Sequence, residues 1–137
     1  MLRIFIMKAQ FLRERRLLQA ALALVSLIPL SAGLLGVWTG AGFYDLTASI
    51  SADSHLRYLS GLLLAVGLLY WGCIPFVERR GGLIRSLTAI VVVGGLSRLT
   101  GVVMAGDPGV MRWTFVTELG VAPALCLWQA RVARAAG

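Results

Sequence analysis

Four long apolar runs, residues 17–38, 57–76, 83–105 and 112–130, alternate along the chain with short polar or turn-rich stretches. Each is close to the ~20 residues that a helix needs to cross ~30 Å of hydrocarbon. The predicted fold class is therefore all-α: an integral membrane four-helix bundle spanning residues 17–131, preceded by a segment 1–16 and followed by a tail 132–137. The longest gap, residues 39–56, has room only for a loop or a short surface helix. No water-soluble domain fits in what remains, so function belongs to the bundle, its loops or its partners.

The interiors of these runs carry punctuation. Pro29 falls mid-run in the first and Pro123 mid-run in the fourth, and Pro75 closes the second; an interior proline withholds a donor from the carbonyl four residues earlier and permits a kink. For Pro123 that carbonyl belongs to Leu119, next to Glu118. Glycines mark where helices can approach closely. Gly36 and Gly40 form a GxxxG in the first run, and Gly94, Gly95 and Gly101 flank Arg98 on its own side of the third.

Composition agrees with the pattern: 58% hydrophobic and 14% charged residues lie well away from the about 25% charged of soluble domains. The net charge of +7 raises the question of nucleic acid, and the placement of the charges answers it. Arg3, Lys8, Arg13, Arg15, Arg16, Arg79, Arg80, Arg85, Arg131 and Arg134, ten of thirteen basic residues, fall in the N-terminal segment, the second connection and the tail. With four spans these regions share one side, which the positive-inside rule makes the cytoplasm, so both termini are expected there. The basicity reads as topology, with no nucleic acid among the expected partners. Trp38, Trp113, Tyr44 and Tyr58 then fall at the outer interface and Trp71 and Trp128 towards the inner one, where such side chains concentrate.

Residues 1–16 mix apolar and basic positions, as expected of a short helix on the cytoplasmic surface attracted by anionic lipid. Met7 offers a second start. The basic-then-apolar order also has the outline of a signal peptide, although the apolar run continues to Trp38, long for such a segment. Cys73 and Cys126 both lie near the cytoplasmic side, where thiols stay reduced, and without neighbouring histidines they make a poor metal site.

Two charges interrupt the apolar runs. Arg98 lies seven residues and Glu118 six residues from the outer ends of the third and fourth spans, about 10 Å below the surface at the helical rise. The short connection makes these spans antiparallel neighbours. A buried ion pair is predicted, since an ionised side chain at the centre of a spanning helix costs roughly 2.5 to 3.5 kcal/mol unless it meets a partner or a wet cavity. Ser97 stands beside Arg98. From the second span His55, Arg57 and Ser60, with Asp53 and Asp107 from the loops, complete a polar funnel open to the outside. Such a funnel fits a lipid headgroup, a quinone ring or a small anion; the competing account is a purely structural pair that fixes helix register. HExxH, paired CxxC, Walker and GxSxG patterns do not occur, so the common enzyme classes find no support and no catalytic residue is assigned.

Leu56-Arg57 with Ser60-Gly61, Gly94-Gly95-Leu96-Ser97-Arg98, Gly106-Asp107-Pro108, and Glu118-Leu119 followed by Pro123 and Trp128-Gln129 carry a resemblance. From about Leu34 to Arg131 the chain resembles small four-span bacterial membrane proteins catalogued as a domain of unknown function (DUF4345-like), themselves loosely similar to DoxX-like proteins. The resemblance implies a four-helix membrane bundle and groups Arg57, Arg98 and Glu118 as a set. It implies no activity. The expected role is a binding or accessory subunit of a larger membrane complex or a homo-oligomer, in contact with membrane lipids. The alternatives are a ligand-handling bundle with bound lipid or quinone and a proton-active Glu118, and a small oligomeric transporter.

Overall fold

The computed structural model of the chain describes residues 2–44, 47–106 and 112–136. Among them all regular structure is helical: α1 (Leu2–Thr39), a 3-10 turn (Gly40–Tyr44), α2 (Ile50–Cys73), a second 3-10 turn (Ile74–Phe76), α3 (Gly81–Ala105), a short α4 (Arg112–Phe115), a π turn (Val116–Val121) and α5 (Ala122–Ala136). Among the described residues three stretches are long and apolar enough to cross a membrane: Phe5–Gly42, Ile50–Phe76 and Gly81–Met104.

Two features depart from the sequence reading. Residues 1–16 are not a separate element, because α1 runs unbroken for 38 residues through Pro29, a length of about 57 Å. The fourth apolar run is not one α-helix either. Its π turn closes with the Ala122 N–H donating to Thr117 O, five residues back. Pro123 is the reason at hand: it has no N–H and its ring crowds the preceding turn, which a wider turn relieves.

The burial pattern is that of helices whose large side chains face outward. Leu24, Leu34, Leu68, Ile90 and Val93 each expose more than half of their surface. What lies inside mixes large apolar side chains such as Leu18, Ile84 and Leu87 with small or polar ones such as Ser26, Ser60 and Thr88, the latter of the kind that lets helices approach closely.

The chain forms two compact units, one of Leu22–Ile74 and one of Met1–Ala21 with Pro75–Gly137. The first is a helical hairpin. Leu22, Ser26, Gly33 and Gly36 are its buried positions on α1, and intervals of four, seven and three put them on one face; Gly40, also buried, follows at the start of the 3-10 turn. A Cβ on Gly33 would stand 2.7 Å from Leu64 Cα, one on Gly36 2.8 Å from Ser60 Cβ, and one on Gly67 2.9 Å from Leu30 N. Side chains at these glycines would force α1 and α2 apart. The small-residue stripe thus extends beyond the GxxxG of Gly36 and Gly40 to include Gly33.

In the second unit α3 buries Ile84, Leu87, Thr88 and Gly95, and α5 buries Ala122, Leu125, Gln129 and Val132. Both sets follow helical spacing, and the two helices pack against each other. The beginning of α1 is tied in by polar contacts: Arg15 Nε meets Glu78 Oε2 at 3.0 Å, Arg15 Nη2 donates to Pro75 O at 3.0 Å, and Trp128 Nε1 donates to Glu14 Oε2 at 2.8 Å. Burial pushes the Glu78 carboxyl up, but the Arg15 hydrogen bond, its own backbone N–H and the charges of Arg15 and Arg79 outweigh this and hold it below the usual glutamate range.

Candidate functional site

Gly95 is the residue that lets α3 and the π turn approach. A Cβ there would stand 2.9 Å from Leu119 Cδ2, 3.0 Å from Glu118 Cβ and 3.1 Å from Glu118 Oε2. Three residues further along α3, Arg98 Nη2 reaches Glu118 Oε1 at 3.3 Å. The two charges therefore meet, but they are half-buried rather than buried: the Arg98 side chain is 38% exposed and that of Glu118 19%. The helical wheel explains the asymmetry. With Arg98 as reference, Gly95 lies about 60° to one side, and Gly94 and Gly101 lie about 40° and 60° to the other. Gly95 faces Glu118, whereas a Cβ on Gly94 or Gly101 would meet nothing within 4 Å. Arg98 thus sits on the seam between a packed strip and an open one.

The carboxylate is held unevenly. Oε1 accepts from Arg98, while Oε2 is buried without a hydrogen-bond partner. A buried acceptor left unsatisfied costs about 1–3 kcal/mol, more for a charged group. It stands inside the π turn, a feature that recurs at functional sites. Pro123 withholds a donor in either register: from the Leu119 carbonyl at α spacing, from that of Glu118 at π spacing.

The remaining predicted site residues divide. Ser97 Oγ donates to Val93 O of its own helix at 2.9 Å. Ser60 is buried against Gly36 in the hairpin unit. His55 is exposed on the first turns of α2, its ring 6.4 Å from that of Tyr58. Asp107 lies outside the described residues. Arg57 has a different employment from the one expected: Nε donates to Asp53 Oδ2 at 2.7 Å, and Nη1 donates to Val37 O at 2.8 Å and Trp38 O at 2.9 Å. It thereby caps the C-terminal end of α1, where carbonyls lack helical donors and a cation is favoured. Asp53 Oδ1 accepts from the Ala41 N–H at 2.8 Å. Gly40 turns the chain into this knot with φ +57°, and a Cβ there would strike Asp53 and stand 2.8 Å from Arg57 Nη2.

A model of the family described as a domain of unknown function (DUF4345) matches residues 17–129. The chain belongs to that family. No curated protein and no solved structure matches it. The matched region takes in Arg57, Arg98 and Glu118, and within it this DUF4345 member uses its two embedded arginines differently: Arg57 closes a helix end, and Arg98 meets a carboxylate that keeps one oxygen unpartnered.

Sequence reasoning overlooked Asp53 as an anchor, the π turn and Gln129. Gln129 is 1% exposed and donates from Nε2 to Val77 O at 2.8 Å, while its Oε1 is buried without a partner. A signal existed. Ala122, Leu125, Gln129 and Val132 follow one face of α5, and a glutamine in the third of those positions is a polar side chain in a core register.

Proposed function

We propose that this protein is an integral membrane protein of the bacterial inner membrane, crossing four times with both ends in the cytoplasm, and that it acts as a binding or accessory subunit docking another membrane helix against the Arg98 strip of α3. The topology is supported by the three long apolar helices, by ten basic residues gathered in regions that would share one side, and by exposed Trp38 and Trp113 at opposite ends of their segments from that basic side. Residues 112–136 supply the fourth crossing, with the π turn inside it.

The observation that carries the docking role is the open side of Arg98. Gly94 and Gly101 have no neighbour within Cβ reach and flank a charge that hydrocarbon disfavours. A partner helix on this strip gains close approach over the glycines and shields the guanidinium from acyl chains. Purification from native membranes in mild detergent should therefore recover a stoichiometric partner, either another protein or a second copy. Gly101→Leu should release that partner while leaving thermal unfolding unchanged, because among the described residues nothing stands within 4 Å of a Cβ there. A monodisperse lone chain from native membranes would overturn the reading.

A second reading has its own support in the unpartnered Glu118 Oε2 within the π turn. Here Glu118 takes up and releases a proton beside a quinone, lipid headgroup or small anion held by Arg98. Extraction of co-purifying quinone and lipid should then yield a specific compound whose amount drops in Glu118→Gln, with the fold intact by circular dichroism.

A further inference from the structure

The start of α3 has the makings of an anion site. Its cap residue Arg80 provides no side-chain hydrogen bond to the first turn. The Ile84 N–H to Arg80 O bond of 3.0 Å is the one that begins the helical ladder. The N–H groups of Gly81, Gly82 and Leu83 come before it and carry the positive end of a 25-residue helix. The Gly81-Gly82 pair keeps this end free of bulk.

A cavity of about 490 Å³ opens there, lined by Gly81 and Gly82, by Arg79 and Arg85 from the same region, and by Gln129 and Arg134 of α5. Its volume is in the range of small-molecule sites. Glu78 also borders it, but that one carboxylate is bonded to Arg15 at 3.0 Å and shared with the charge of Arg79, so it does not offset Arg85 and Arg134. Gln129 supplies the independent sign of a ligand. It is 99% shielded, its amide lies against Gly81, where a Cβ would be 3.1 Å from Nε2 and 3.2 Å from Oε1, and that Oε1 has no donor. Three cations and a helix N-terminus call for a phosphate; an unanswered carbonyl oxygen calls for a hydroxyl on the same molecule.

We propose that this cavity binds the headgroup of an anionic glycerophospholipid, with the phosphodiester held by Arg79, Arg85, Arg134 and the first turn of α3, and with a headgroup hydroxyl serving Gln129. The inference rests on the membrane reading above, which places this end of α3 at the cytoplasmic leaflet, where anionic lipids supply that chemistry. It is separate from the Arg98 strip and does not depend on the docking role.

The test uses the full chain in mild detergent and native mass spectrometry, with phosphatidylglycerol and phosphatidylcholine added in equal amounts. Phosphatidylglycerol should be retained with about tenfold or greater preference. Arg85→Gln combined with Arg134→Gln should remove most of that preference. The decisive variant is Gly82→Glu. A Cβ at Gly82 meets nothing within 4 Å, and an acid in the first turn favours the helix. This variant should therefore unfold no earlier than the parent and yet lose phosphatidylglycerol, because its carboxylate takes the phosphate's place. Retention of the lipid by a stable Gly82→Glu protein, or equal retention of the two lipids by the parent, overturns the proposal. Competition by inorganic phosphate or glycerol 3-phosphate at concentrations matching the lipid would make the ligand a soluble anion and overturn the lipid assignment. Alkaline extraction of native membranes separates the two levels of argument: a chain released by carbonate defeats the membrane reading itself, whereas one that stays embedded without lipid preference defeats only this site.

Discussion

Arg57 and Arg98 are both arginines embedded in apolar helices, and the carboxylates they meet differ in how completely they are bonded. Arg57 makes three bonds of 2.7 to 2.9 Å, one to Asp53 and two to carbonyls at the end of α1, and the other oxygen of Asp53 is taken by Ala41. Arg98 meets Glu118 at 3.3 Å, and the second oxygen of that carboxylate is buried without a partner. The first arrangement closes on itself and fixes where a helix ends. The second keeps one acceptor in hand beside an open strip of glycines. A guanidinium in an apolar segment is therefore not by itself a sign of function; the completeness of its partner's bonding is the better guide.

The comparison can be broken at its foundation first. Gly36→Leu drives a branched side chain into Ser60 and pries α1 from α2, which should cost about 3 kcal/mol and dismantle the Arg57 corner with it. Thermal unfolding in detergent reads the loss, and Gly101→Leu serves as the matched control that should cost almost nothing. Next in size is Arg57→Met, which strands Asp53 and two carbonyls at the end of α1; the melting midpoint should fall by less than in Gly36→Leu, since the Arg57 and Asp53 side chains are 42% and 32% exposed. Arg98→Met should cost about 1 kcal/mol or less, because its pair is half-exposed and loosely made. A double-mutant cycle with Glu118→Gln should give a coupling energy smaller than that between Arg57 and Asp53. Equal couplings would erase the distinction drawn between the two sites.

The smallest effect sharpens the comparison from outside the apolar segments. Glu78 is held below its ordinary value of 4.5 in the folded chain, so its contribution is fully present above that value and is lost as pH falls through the lower folded value. Melting midpoints measured across acid pH should decline there by the equivalent of about 1 kcal/mol or less, as for a partly exposed pair. Glu78→Gln should flatten that part of the profile. A decline centred near neutral pH would point to another group.

The apolar runs made the helices legible. Three of them correspond to α1, α2 and α3 because length and hydropathy alone decide whether a helix can cross hydrocarbon. The fourth was not fully legible, since a π turn depends on how Pro123 is accommodated, and a proline in sequence does not say which register the preceding turn will take. Nearly equal distances of Arg98 and Glu118 from a shared loop were enough to bring them together. Depth, however, does not carry azimuth. Arg57 stands near the end of its helix, and only the path of the chain through Gly40 shows that it faces the carbonyls of Val37 and Trp38. Gln129 was hidden for the opposite reason: beside Trp128 it reads as part of a polar exit from the helix, although it occupies a core position.

The unbroken length of α1 has a consequence for how substitutions along it will behave. About 57 Å of helix exceeds a ~30 Å hydrocarbon layer by nearly half its length. Glu14 and Arg15 on its early portion take part in polar contacts of the kind found in water, while Gly33 and Gly36 on its later portion lie in a glycine seam suited to lipid surroundings. On the membrane reading proposed above, one helix obeys two solvents. A scan replacing outward positions one by one with lysine should show a step in tolerance rather than a gradient, and the residue at that step marks where the aqueous world gives way to acyl chains.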